Sequence, residues 1–169
     1  DRSEVCDGRV HCRLSKDDEQ LCSMLICPRQ CECKGYAIRC EYKGKVHFDY
    51  FIYARALLLK GNSISILFPI LIIYCNVYAI RLDVSFNKIT HLSRYLFKNC
   101  SSLQEIDLSS NRISYMDSTA FRHLPYLKQL SIANNSLKSL YAFMCLHSEF
   151  LWTLKLQQNN INFVEQNTF

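Results

Sequence analysis

From residue 54 onward, apolar and polar positions recur in step. Five segments align: "ARALLLKGNSI", "AIRLDVSFNKI", "LQEIDLSSNRI", "LKQLSIANNSL" and "LWTLKLQQNNI". Each ends in an asparagine followed two residues later by an apolar side chain. The asparagines are Asn62, Asn87, Asn111, Asn135 and Asn159, at spacings of 25, 24, 24 and 24. The apolar-x-apolar core of each segment predicts a short strand with alternate side chains inward. Equal strands at a constant period predict a parallel stack, about 4.8 Å per step. Each asparagine falls where the chain turns out of its strand. Its amide both donates and accepts, so it can serve its own turn and the neighbouring one. An ionised aspartate could not donate. Apolar residues then recur at +2, +5 and +10 from the asparagine. After Asn87 these are Ile89, Leu92 and Phe97, and after Asn111 they are Ile113, Met116 and Phe121. The same offsets give Leu137, Leu140 and Cys145, then Ile161, Val164 and Phe169. One such unit cannot bury its own apolar face, so stability has to come from stacking neighbours.

The pattern L-x-x-L-x-L-x-x-N-x-L resembles the leucine-rich repeat, whose period falls in this range. Alanine replaces the first leucine in the first two copies. The resemblance implies an α/β solenoid: a curved parallel sheet on the concave side and an irregular or short-helical convex side. About five repeats fill residues 54–169, the last expected to be cut short at Phe169.

One stretch competes with that reading. Gly61 to Ile80 holds 20 residues without a charge, long enough to cross a bilayer. Its apolar residues Ile64, Leu67 and Ile72 nevertheless keep the repeat offsets, and Gly61, Asn62, Pro69 and Asn76 suit a lipid-facing helix poorly. We read it as a repeat, with its one extra residue near Asn76 to Tyr78. Register leaves Phe68, Ile70, Ile73 and Tyr74 unexplained, because their counterparts in the third repeat are Asp117, Thr119, Arg122 and His123. These four are expected to project from the convex side and to dock another part of the protein.

Cysteine changes the picture for the first 40 residues. Seven of the ten cysteines lie there, a density that points to disulfides and an oxidising compartment. No C-x2-C pair occurs, which argues against structural zinc. "CPRQCECKGYAIRC" resembles the cysteine-rich N-terminal cap of extracellular leucine-rich-repeat proteins. That resemblance implies Cys27 paired with Cys33 and Cys31 with Cys40. Upstream, "CDGRVHCRLSKDDEQLC" resembles the last half of an LDL-receptor class A module. It implies a Cys6–Cys22 bridge and a calcium site with Asp7, Asp18 and Glu19 as side-chain ligands and Arg9 giving its carbonyl. His11 stands where such modules carry a ligating aspartate, and an extra residue lies between Cys12 and Asp18. Both weaken the expected calcium site. The domain plan is residues 1–22 for the module fragment, 23–26 for a linker, 27–53 for the cap and 54–169 for the repeats. Cys12 lacks its upstream partner and no C-terminal cap follows, so the chain reads as a fragment of a larger extracellular protein.

The remaining candidates are fewer. Cys75, Cys100 and Cys145 read as small buried hydrophobes, a bridge between Cys75 and Cys100 being the alternative. The five histidines show no metal spacing and no catalytic constellation appears, so an enzyme is not expected. Net charge is +5 without a Lys/Arg run, which gives no nucleic-acid footprint. Sequons occur at Asn99 and Asn134. Outward strand positions place Leu58, Asp83, Asp107, Ser131 and Lys155 in one column of the concave face, with Arg81, Glu105, Gln129 and Trp152 beside it. Trp152 and Arg81 are the first candidates for ligand contact.

An LDL class A module joined to a capped repeat array is similar to the ectodomain of relaxin-receptor-like G protein-coupled receptors and of the molluscan receptor with many such modules. The resemblance implies a cell-surface receptor that captures a peptide or protein ligand. It would signal through a seven-transmembrane domain in cis and a heterotrimeric G protein. The linker "SMLI" is short, which favours the multi-module branch. A leucine-rich-repeat adhesion or matrix protein is the alternative.

Overall fold

A computed structural model describes residues 27–44, 54–75, 78–141, 148–166 and 168 of the chain. The expected class A fragment and linker, with the expected calcium ligands and Cys6–Cys22 pair, lie outside the described residues, as do 45–53, Cys145 and residues 76–77 of the insertion expected near Asn76 to Tyr78.

Eleven short strands and one helix are described. The cap contributes β1 (Glu32–Lys34) and β2 (Ala37–Arg39), an antiparallel hairpin. Then come β3 (Ala56–Leu58), α1 (Phe68–Tyr74), β4 (Arg81–Asp83), β5 (His91–Leu92) and β6 (Glu105–Asp107). The rest are β7 (Tyr115–Met116), β8 (Gln129–Ser131), β9 (Ser139–Leu140), β10 (Thr153–Lys155) and β11 (Phe163–Val164). One sheet runs β1-β2-β3-β4-β6-β8-β10 and is parallel from β2 onward. Two-stranded ladders, β5 with β7 and β9 with β11, follow the turns. The chain is thus a parallel-strand solenoid of repeating turns.

Alternation within three-residue strands explains the core. Ile38, Leu57, Leu82, Ile106 and Leu130 are in register and all buried. Each such side chain contributes about 1.5–3 kcal/mol by leaving water. The +2 and +5 positions from Ile64 to Leu140 are buried as well, and Phe97 stacks on Phe121 at 5.4 Å between ring centroids. In the third repeat the return path is a series of turns. Asp117 begins it, accepting from the Thr119 backbone at 2.8 Å and its hydroxyl at 2.6 Å, and these bonds hold its carboxyl below the usual carboxylate range.

The asparagines sew the turns together. The Asn87 Oδ1 accepts from the N–H groups of Asn62 and Ile64, both at 2.9 Å, while its Nδ2 donates to Leu59 O at 3.0 Å and Val84 O at 2.9 Å. Asn111, Asn135 and Asn159 repeat the arrangement, accepting from Ile89, Ile113 and Leu137. Asn62 turns the same groups toward the cap, accepting from Lys43 and Gly44 and donating to Cys40 O. Just before each asparagine the backbone turns left-handed: Gly61, Phe86, Ser110, Asn134 and Gln158 all have φ between 53° and 71°. At Gly61 a side chain has no room, since a Cβ would lie 2.3 Å from the Tyr42 ring.

Two expectations are corrected here. The first repeat returns through α1, with Pro69 in the first turn where no N–H is needed. Leu67, Ile70, Leu71 and Tyr74 are all buried at helical spacing. Ile70 and Tyr74 are therefore core residues and not convex docking groups. The Tyr74 hydroxyl lies 2.8 Å from Arg55 O and 2.6 Å from Arg81 O, and burial pushes its pKa well above the ordinary tyrosine value. Phe68 is exposed; the side chains of Ile72 and Ile73 lie outside the described set. The second correction concerns Cys75 and Cys100. They are not free buried thiols but a disulfide that links consecutive turns, 25 residues apart. Both occupy apolar slots of the repeat, and two such slots on adjacent turns bring their Cα atoms to 4.6 Å, within bridging range. Among the described residues no helix is long and apolar enough to span a membrane.

Candidate ligand-binding face

The concave sheet carries two outward columns. Register aligns Ala56, Arg81, Glu105, Gln129 and Thr153 in one, and Leu58, Asp83, Asp107, Ser131 and Lys155 in the other. At the cap end both Ala56 and Leu58 are buried, so Leu58 is not the exposed concave residue the sequence suggested. Arg81 reaches Glu105 at 3.3 Å across adjacent strands. Both side chains are partly solvated, so the pair contributes at most about 1 kcal/mol. Asp83 accepts from the Ser85 backbone at 2.9 Å and its hydroxyl at 2.7 Å, and Asp107 from the Ser109 backbone at 2.8 Å. These bonds hold two carboxylates side by side at the strand exits.

Between the columns lies a depression of about 190 Å³ bordered by Arg81, Glu105, Asp107, Gln129, Ser131 and Lys155. That is small against the roughly 300–1,000 Å³ of small-molecule pockets. Its shape and charge suit a side chain offered by a larger partner. Trp152 stands one position upstream of Thr153, outside the two columns, and is 69% exposed with the Lys128 ammonium 5.7 Å from its ring. Tyr126 and Phe150 stack at 6.2 Å near the same edge and are both exposed. Sequence reasoning passed over this pair, although its 24-residue interval was the available signal.

The cap joins Cys27 to Cys33 and Cys31 to Cys40. Asn99 is exposed in the turn before Cys100. Asn134 is also exposed, with its Nδ2 3.1 Å from Ser110 Oγ. Among the described residues no group of three or more His, Cys, Asp or Glu is placed to hold a metal.

Residues 80–137, the turns carrying β4, β6 and β8, match the leucine rich repeat family model. Its fold is a leucine-rich-repeat solenoid. Toll of Drosophila, solved in complex with Spatzle, is 23% identical with a TM-score of 0.58, over 66% of this chain and 16% of its own. Human 5T4, also described as Wnt-activated inhibitory factor 1 and trophoblast glycoprotein, is 21% identical with a TM-score of 0.58. That match covers 81% of this chain and 64% of 5T4. The solenoid therefore spans only part of either neighbour, and identities this low speak to fold alone. No curated protein matches the chain.

Proposed function

We propose that this chain is an extracellular binding segment whose concave sheet captures a peptide or protein ligand. The observation that carries the reading is the parallel run of strands from β3 to β10 with Arg81, Glu105, Asp107 and Lys155 outward around one shallow depression and Asp83 in the same column as Asp107. Trp152 at its edge supplies an exposed aromatic anchor, the residue type most enriched at energetic centres of interfaces. The cap disulfides favour an oxidising, extracellular setting. Toll, which shares the fold, is solved in complex with Spatzle. The finer reading rests on the module combination in the sequence: a receptor of the relaxin-receptor-like or multi-module type, signalling through a seven-transmembrane domain and a heterotrimeric G protein.

The test screens the source tissue's secreted peptides and proteins for binding to the chain, then measures the binder with Trp152→Ala and with Arg81→Ala/Glu105→Ala. Loss of about tenfold or more per variant is expected if these are interface centres. Exposed convex variants, Lys98→Ala and Arg122→Ala, should bind within twofold of the parent. A binder indifferent to both concave variants would sink the concave-face reading. Reading the transcript beyond Phe169 separates the receptor from the adhesion alternative. Seven apolar spans are expected for the former, one or none for the latter.

A further inference from the structure

The solenoid gathers cations that the sequence scatters. Consider the turns that leave each concave strand, residues 60–65, 85–90, 109–114, 133–138 and 157–162. They hold Lys60, Lys88, Arg112 and Lys138 and no acidic residue. Backbone bonds set these turns directly side by side: Gly61 N to Ser85 O at 3.0 Å, Lys88 N to Ile64 O at 2.8 Å, and Arg112 N to Ile89 O at 2.9 Å. Lys43 joins them from the cap, its N–H bonded to Asn62 Oδ1. Lys43, Lys88, Arg112 and Lys138 are exposed and Lys60 is half-buried. Among the described residues none of the five forms an ion pair. On the concave strands Asp83 and Asp107 accept from the serines at the strand exits, and Glu41 pairs with Arg39.

We propose that this basic rim binds a sulfated polysaccharide lying across the repeats. Adjacent turns step by about 4.8 Å. Lys88 and Arg112 share the position just after their asparagines, while Lys60 stands two residues before Asn62 and Lys138 three after Asn135, so a polyanion crossing the turns meets a band of cations a few residues wide. Two features favour a sugar chain over an acidic polypeptide. Exposed rings of Tyr42 and Phe86 flank Lys60, whose ammonium is 4.6 Å from the Phe86 centroid; aromatic faces beside a cation suit a sulfated sugar ring. The exposed hydroxyls of Ser63 and Ser136, at the same position after their asparagines as Lys88 and Arg112, add donors for sulfate and sugar oxygens. Disulfides place the chain in the compartment where such polysaccharides occur.

Heparin is the probe. Its affinity for the full chain is measured across a salt series for the parent, for Lys60→Gln/Lys88→Gln/Arg112→Gln, and for an equal-charge control, Lys34→Gln/Lys98→Gln/Arg122→Gln. Far-ultraviolet dichroism checks that all three are folded. The rim variant should lose at least about tenfold in affinity, and its slope of log affinity against log salt should fall by about 2–3, near one per cation removed. The control should stay within twofold of the parent. Any of three results overturns the proposal: no heparin binding by the parent at physiological salt, equal losses in the two variants, or polyglutamate binding the rim as tightly as heparin.

Discussion

A single amide makes five hydrogen bonds at Asn87. It accepts from two N–H groups of the preceding turn and donates to one carbonyl of that turn and two of its own. Buried polar groups left without partners cost about 1–3 kcal/mol each. Asn87→Ala is therefore expected to destabilise the chain by about 3–5 kcal/mol, read as a fall in the urea midpoint. Asn159, which is half-buried, should cost visibly less on the same substitution. Tyr74 offers a second test at this scale. Burial raises its pKa in the folded chain above the unfolded value near 10.0. Its contribution to stability is then complete below pH 10 and is lost as pH rises, at about 1.4 kcal/mol per pH unit. Tyr74→Phe should be less stable at neutral pH by about 1–2 kcal/mol through the lost hydroxyl bond. Its stability should also fall less steeply than the parent's between pH 10 and 12, measured by denaturant unfolding at each pH.

At the scale of elements, what the sequence shows and what it conceals separate cleanly. The strands were legible because asparagine spacing and apolar alternation report the same inward positions, from Leu57 through Leu130. Helix α1 was not. Its outward set was inferred by carrying the third repeat's register onto the first, but the third repeat returns through turns while the first returns through a helix. Each helical residue rotates by about 100°, so Ile70 and Tyr74 come to face inward with Leu67 and Leu71. The Cys75–Cys100 bridge was hidden for a related reason: a half-cystine and a small apolar residue fill the same slot, and only the stacking of turns reveals the pair. Closing a loop of 25 residues contributes about 3 kcal/mol in the chain-entropy picture. Cys75→Ser/Cys100→Ser should thus melt several degrees below the parent, and reductant should narrow the difference between the two melting temperatures.

Across the whole molecule, stability is a sum over neighbouring turns. Leu130 is buried between flanking strands, while its equivalent Leu154 is half-buried. Leu130→Ala should cost about 2–5 kcal/mol, and Leu154→Ala markedly less in this chain. The candidate sites obey the same logic of scale. The Asp83 and Asp107 column could be read from the period. The basic rim could not, because lysines roughly one repeat apart look like ordinary surface until the coil brings them together.

The asparagine stitching also has a direction. Each amide from Asn62 to Asn159 bonds backward, to groups of the turn or cap that precedes it in the chain. During synthesis those earlier groups emerge first. A growing chain can therefore add each turn onto a finished template, starting from the disulfide-held cap, without waiting for its carboxyl end. Pulling force on the nascent chain, followed with a translational arrest sequence, should then rise in steps about one 24-residue period apart. A single late rise would mean that the turns close together instead.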